Sequence, residues 1–373
     1  MSSYKPAGRL GESDMQVVDD PRLDARLAKL LRIVGMDKNS PATRLTVDAS
    51  IADISKMAAQ ADREAEGLYA MLPNDLPGDD KEPQVERSDF STKGPDGNDV
   101  ALHVFRKAGT TGQTLPCVVY SHGGGMVNLS TINKVHVRWL TSLALAGVVS
   151  IAIDFRNAYT EAGHNPFPAG LNDCAAGVQY IASHKADLGI NKIIMQGESG
   201  GCNLAFATAL KAKKEGWIDS IDGVFGIVPY ISNAWGWPTE RLLKELPSCI
   251  ENDGYFLRVK NMAVYGHYYT PNAKDKANPL AWPYHATADD LKGLPPHYLL
   301  MDELDPLRDE GNAYYRKLND AGVPVTAHVN LGTLHGSALI FRQAMPEVHY
   351  AVVDSIAAFA KRLPVKHVAS SRL

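Results

Sequence analysis

The sequence predicts an α/β protein with a mostly parallel central sheet, helices on both of its faces and a helical cap. Three observations carry that expectation. From Val100 onward, short β-rich apolar runs alternate with stretches whose apolar residues recur every three or four positions. Strands separated by helices in this way form a parallel sheet covered on both sides. Two glycine-rich turns, His122-Gly123-Gly124-Gly125 and Gly197-Glu198-Ser199-Gly200-Gly201, each follow such a run directly. Finally, a stretch of about fifty residues between Pro229 and Asn278 breaks the alternation, and structureless loops of that length are rare. It carries Tyr230, Trp235, Trp237, Tyr255, Phe256, Tyr265, Tyr268 and Tyr269 and reads as a helical insertion, at about 231–277, covering a site.

Taken in order, the first elements are helical. Asp20-Pro21 reads as an N-cap followed by proline, Leu23, Leu27, Leu30, Leu31 and Val34 form one apolar stripe, and Gly35 closes the helix. A second stripe runs through Ile51, Ile54, Ala58, Ala61, Ala65, Leu68 and Leu72 and ends at Pro73. Residues 74–86, acidic and broken by prolines, read as a linker, so 1–85 is expected to be a helical cap or arm and 86–373 the catalytic core. The helices read either as cladding or as a lid. The strands expected are Val100–Arg106, Cys117–Ser121, Val148–Asp154, Lys192–Gln196, Val224–Pro229, His297–Met301 and Val325–Leu331. The helices between and after them are Val135–Ala146, Ala169–Ser183, Gly200–Lys213, Arg308–Ala321 and Pro346–Arg362. Ligands bind at the carboxyl ends of strands in such sheets, and His122, Ser199, Asp305 and His335 each lie just past one.

Composition narrows the function. With 45% hydrophobic and 21% charged residues the chain reads as a soluble globular protein. A net charge of −4 and no long Lys/Arg run argue against a nucleic-acid partner. Leu143 to Ile153, the longest apolar run, is too short for a bilayer, so no membrane span is expected. The start of the chain lacks the apolar stretch of a secretory signal. The expected location is the cytoplasm or, in a eukaryotic cell, the peroxisome, because Ser371-Arg372-Leu373 resembles the Ser-Lys-Leu address. The cysteines, at 117, 174, 202 and 249, are too scattered for a metal or redox motif; Cys117 and Cys202 read as small hydrophobes.

The chemistry follows from the two glycine motifs. Gly-x-Ser-x-Gly is the form of a sharp strand-to-helix turn that lifts a serine hydroxyl into a pocket, its glycines avoiding collision with the neighbouring backbone. Acyl transfer also needs backbone N–H groups aimed at a developing oxyanion, which His122-Gly123-Gly124-Gly125 supplies upstream. A serine needs a base, and that base a carboxylate behind it. Among the histidines His335, in Gly332-Thr333-Leu334-His335-Gly336, is best placed; His103 and His328 fall inside strands, and His164 and His349 have no motif around them. Of Asp302, Glu303, Asp305 and Asp309, Asp305 is assigned the orienting role because a proline fixes the turn after it, whereas Asp309 reads as a partner of Arg308 or a cap. His122, Gly123 and Glu198 are read as supporting the motifs. No cofactor and no metal is expected, there being no His-Glu-x-x-His and no Gly-x-x-x-x-Gly-Lys loop.

These residues resemble the hormone-sensitive-lipase-like branch of the α/β-hydrolases, through His122–Gly125, Asp154-Phe155-Arg156, Gly197–Gly201, Asp305-Pro306-Leu307 and His335-Gly336. The likeness covers roughly residues 85–362 and, more faintly, the helices before them. It implies an oxyanion hole from the amides of Gly124, Gly125 and Gly200, and a serine carboxylesterase acting on small to medium esters or lactones. A closer likeness, in Asp154–Ala158, Glu251–Phe256, Ala281–Tyr284 and Glu303–Gly311, implies macrolactones. Two departures bear on the pocket: Asn157-Ala158-Tyr159-Thr160 stands where the family has leucine-alanine-proline-glutamate, and Gly200 where alanine is common. The alternatives are a non-hydrolytic enzyme on the same scaffold, an acyltransferase or dehydratase, and a small-molecule receptor, which His335 argues against. The expected partner is a small ester or lactone, with a homodimer left open.

Overall fold

Backbone pairing gathers the apolar runs into one eight-stranded sheet. The computed structural model describes residues 5–77, 79 and 84–365; the terminal Ser371-Arg372-Leu373 lies outside them. The strands are β1 (Val85–Lys93), β2 (Asp99–Lys107), β3 (Leu115–Ser121), β4 (Val149–Asp154), β5 (Ile190–Glu198), β6 (Gly223–Ile227), β7 (His297–Asp302) and β8 (Val325–Asn330). They lie side by side in the order β1-β2-β4-β3-β5-β6-β7-β8. From β4 to β8 all neighbours are parallel, while β2 is antiparallel to β4 and β1 to β2.

The longer helices are α1 (Ala25–Ile33), α2 (Ile51–Met71), α3 (Lys134–Leu145), α4 (Ala169–Ser183), α5 (Gly200–Lys214), α6 (Val259–Tyr269), α7 (Arg308–Asp320) and α8 (Pro346–Arg362). Alternation along β3 shows how they cover the sheet. Cys117 and Val119 join a core with Val178 of α4, Leu204 of α5 and Leu318 of α7. Val118 and Tyr120 face the opposite core, with Trp139 and Leu143 of α3 and Val353 and Ile356 of α8. Each aliphatic side chain taken fully out of water contributes about 1.5–3 kcal/mol, so the central strands are fixed by burial on both faces.

Two expectations need correction. Residues 74–86 do not reach the sheet as linker throughout: β1 begins at Val85, a strand absent from the sequence reading. Its residues are almost all exposed and show no apolar alternation; a nine-residue backbone ladder to β2 defines it instead. Helix α1 starts at Ala25, not beside Asp20-Pro21. Asp24 accepts from the Arg26 N–H and guanidinium as the cap; Asp20 makes the same contacts with Arg22 outside the helix and also accepts from the Tyr255 hydroxyl. Gly35 does follow the helix in the left-handed conformation, φ 74°.

Between β6 and β7 the chain forms short helices and α6. Its aromatics divide in two. Tyr230, Phe256 and Tyr265 face a cavity, whereas Trp235 stacks on Tyr230 from behind, with ring centroids 4.0 Å apart, and packs edge-on against Trp282.

Candidate active site

The parallel strands end at one rim, and the candidate residues stand just beyond them. Ser199 follows β5 directly and immediately precedes α5. Its backbone is left-handed, φ 56°, ψ −121°, a conformation that costs a non-glycine residue of order 1–3 kcal/mol and persists only where its surroundings impose it. The flanking glycines show what imposes it. A Cβ at Gly197 would lie 2.2 Å from the Gly201 carbonyl, and one at Gly201 would lie 1.9 Å from the Ser121 oxygen. The Ser199 N–H is tied to the Ile227 carbonyl of β6 at 2.9 Å.

Beyond β3, His122 begins the second motif. Its Nδ1–H donates to the Gly123 carbonyl (2.8 Å), its ring stacks on Phe155, and burial lowers its pKa to about 4, so the ring is neutral. Gly124 and Gly125 have φ 91° and 64°. A Cβ at Gly124 would lie 2.0 Å from the Asn128 carbonyl oxygen. Gly200 meets this loop from the other side: a Cβ there would stand 2.5 Å from the Met126 nitrogen and 2.8 Å from Gly125. That contact gives a physical reason for glycine where the family commonly has alanine. The second departure lies behind the same loop, where Ala158 N–H donates to Met126 and Tyr159 N–H to Val127.

Glu198 locks the two motifs together. Its Oε1 accepts from the Gly123 N–H at 2.7 Å and the Tyr120 hydroxyl at 2.8 Å. Burial outweighs both bonds and raises its pKa to about 8. His136 comes within 3.6 Å of it, too long for a hydrogen bond, and burial lowers that imidazole to about 3; the contact is between neutral groups. Tyr120 and His136 were not singled out in the sequence. One is a strand residue and the other lies in the first turn of α3, so their approach to Glu198 had no local signal.

His335 stands in the loop after β8, and its Nδ1–H donates to Asp305 Oδ2 at 2.8 Å. Asp305 is fully buried and its other oxygen accepts from the Leu307 N–H at 2.9 Å, the turn that Pro306 fixes. Asp309 is used elsewhere, by Arg308 and the Ser248 N–H. Asp302, set aside in the sequence reading, holds the His335 loop on both flanks. It accepts from the Thr333 hydroxyl at 2.8 Å and the Ser337 N–H at 3.3 Å, and burial beside Asp305 raises it to about 6. Phe256, itself left-handed at φ 66°, stacks over the His335 ring at 6.4 Å.

Ser199, His335, Glu198, Gly123, Gly124 and Gly125 all line one cavity of about 570 Å³; Asp305 lies behind His335 and Gly200 beneath the loop. Further walls come from α2, from residues 256–265, from residues 40–43 and from Leu339 and Ile340. His103 bonds Asp89, His328 the Tyr298 hydroxyl, His164 the Tyr268 carbonyl and His349 the Ala338 carbonyl, all away from this cavity. The four cysteines are buried and unpaired, and burial raises the Cys202 thiol well above its ordinary value.

Residues 118–339 match the family model for the alpha/beta hydrolase fold. The chain belongs to that family, in its hormone-sensitive-lipase-like branch. The solved structure described as brefeldin A esterase, a bacterial homologue of human hormone-sensitive lipase, is 44% identical, with TM-score 0.93 over 96% of this chain and 98% of that one. Esterase LipI of Mycobacterium tuberculosis is 30% identical across 70% of this chain and 78% of its own length. Carboxylesterase NlhH of the same organism is 28% identical across 74% and 83%. These relatives support carboxylic ester hydrolysis. Among the described residues, no helix is long and apolar enough to cross a membrane.

Proposed function

We propose that the protein is a serine carboxylesterase that cleaves small to medium esters or lactones through an acyl-enzyme on Ser199. The observation that carries the proposal is the convergence of a strained serine turn, a histidine bonded to a buried aspartate and a glycine loop on one cavity. In the first half-reaction Ser199 Oγ attacks the ester carbonyl and His335 Nε2 takes its proton. Asp305 holds Nδ1–H, fixing the tautomer that leaves Nε2 free, and stabilises the imidazolium. The oxyanion is received by the amides of Gly124, Gly125 and Gly200. The C–O bond to the alcohol then breaks, and His335 returns the proton to the leaving oxygen. Water, deprotonated by the same imidazole, attacks the acyl-enzyme and releases the acid and Ser199. A lactone follows the same course and yields a single hydroxy acid.

The cavity falls within the range that encloses a drug-sized ligand, roughly 300–1,000 Å³. Leu68, Met262, Leu339 and Ile340 make its walls largely apolar. Together with the likeness to brefeldin A esterase, this favours esters of moderate size, macrolactones among them, over bare acetate. We assign the covering role to α2 and to residues 256–265, which form those walls from outside the sheet. The test is turnover of p-nitrophenyl acetate, butyrate, octanoate and laurate by wild type and Ser199→Ala. The expected result is a rate that peaks at short to medium chains and vanishes in the variant. Wild-type rates no greater than those of Ser199→Ala on every ester would overturn the proposal.

A further inference from the structure

The loop that follows the glycine motif is held by a helix distant in sequence. Asp62 and Glu66 lie four residues apart, on one face of α2. Asp62 Oδ1 accepts the backbone N–H of Leu129 at 2.8 Å, and Glu66 Oε1 accepts that of Ser130 at 2.6 Å and the Asn133 side-chain amide at 3.2 Å. Two carboxylates therefore satisfy consecutive amides in one turn. That turn is strained: Leu129 has φ 79°, and Met126 has φ 59°. Such conformations persist only where several contacts impose them. Leu129 is gripped at both ends, its N–H by Asp62 and its carbonyl by the Asn157 side-chain amide at 2.8 Å.

The strained turn packs directly on the glycine loop. The Asn128 carbonyl, immediately before Leu129, presses on the Cα of Gly124 so closely that no Cβ fits. The Gly124 carbonyl in turn accepts the N–H groups of Val127 and Asn128 at 3.0 and 3.2 Å. A shift of Leu129 is thus passed to Gly124 through a single peptide.

We propose that Asp62 and Glu66 are positioning residues, a carboxylate clamp by which the N-terminal helix sets the oxyanion-binding loop. This rests on the esterase reading given above. The helix is then part of the machinery as well as a wall: substrate contacts that press α2 onto the loop improve the oxyanion geometry, and loss of the clamp relaxes it. The requirement is for hydrogen-bond acceptance, so an amide oxygen in the same place serves in part and a hydrocarbon does not.

The experiment compares wild type, Asp62→Leu/Glu66→Leu and Asp62→Asn/Glu66→Gln on p-nitrophenyl butyrate. Active sites are counted by titration with diethyl p-nitrophenyl phosphate, so that misfolded protein drops out of the rate. The leucine pair is expected to lower kcat per titrated site by about tenfold with KM changed less than about twofold, since misplacing a preorganised donor acts on the transition state. Affinity for an aliphatic trifluoromethyl ketone, whose adduct carries the same oxyanion, should fall by the same factor. The amide pair should recover part of that loss. An unchanged kcat per titrated site in the leucine pair, or a loss confined to KM, would overturn the clamp. So would equal losses in the two pairs. Absence of Ser199-dependent turnover in the wild type is a separate outcome, which removes the esterase reading and the clamp with it.

Discussion

Among Gly123, Gly124 and Gly125, it is Gly124 that leaves a side chain the least room. In Gly124→Ala the new Cβ would lie 2.0 Å from the Asn128 carbonyl oxygen, a distance at which backbone must move. Side-chain carbons are not found closer than about 3.0 Å to such atoms, so the loop must open by about 1 Å. A displacement of that size costs about 10²-fold in rate, close to the loss of one oxyanion donor, or about 3 kcal/mol in the transition state. Gly125→Ala is the control. It too has positive φ, 64°, but its Cβ would meet nothing nearer than the Tyr230 ring at 3.7 Å. It should pay only the left-handed backbone cost of about 1–2 kcal/mol in stability, with kcat within about fivefold of wild type. The assay is steady-state hydrolysis of p-nitrophenyl butyrate, normalised to titrated sites, with thermal melting run alongside. A Gly124→Ala enzyme within about threefold of wild type, or a Gly125→Ala enzyme slower than Gly124→Ala, would show that the Asn128 contact does not set the loop.

Other expectations follow from neighbouring contacts. Asp305→Asn should lower kcat by about 10³–10⁴-fold while the fold survives, because the carboxylate that selects the His335 tautomer is gone; pre-steady-state kinetics should place the loss in acylation. Glu198 is held near a pKa of about 8, above the ordinary carboxyl value of 4.5, so the folded protein binds a proton that the unfolded chain releases. Its contribution is fully present below about 4.5 and is lost as pH rises through 8, so Glu198→Gln should gain in melting temperature relative to wild type between pH 5 and 8. A gap that narrows over that range would contradict the burial argument. Gly200→Ala should push the Met126 peptide away and slow turnover about tenfold or more with little change in KM, measured on the same esters. Because the four cysteines are buried, a disulfide reagent such as 5,5′-dithiobis(2-nitrobenzoate) should leave the native enzyme active and unlabelled until it is denatured; rapid inactivation would show a reactive thiol.

The parts of this molecule that were legible in the sequence are those fixed by local chemistry. Central strands such as Cys117–Ser121 announce themselves because burial on both faces demands an unbroken apolar run. Gly197 and Gly201 stand out because backbone lies within about 2 Å of where a side chain would be. The pairing of His335 with Asp305 could be anticipated from two loops past two strands. What escaped depends on partners far along the chain. β1 is a strand only because β2 is beside it, and its own residues are charged and exposed. Tyr120 and His136 reach Glu198 across more than sixty residues, and Asp62 and Glu66 reach Leu129 and Ser130 across a similar span. Asp302 looked like one more acid in an acidic segment until Thr333 and Ser337 closed on it. Asp20 and Asp24 are equally good caps by type and each accepts from the arginine two residues on, so the start of α1 at Ala25 had no local signal; the bond that sets Asp20 apart comes from Tyr255, far along the chain.

Labelling with diethyl p-nitrophenyl phosphate tests whether Ser199 is the nucleophile. Attack by the Ser199 oxygen on phosphorus forms a stable diethylphosphoryl ester and expels p-nitrophenolate. The expected result is one equivalent of p-nitrophenolate per protein, activity lost in proportion, and the added mass on the peptide carrying Ser199 alone. A label on another residue, or full esterase activity in protein whose Ser199 is blocked, would contradict it.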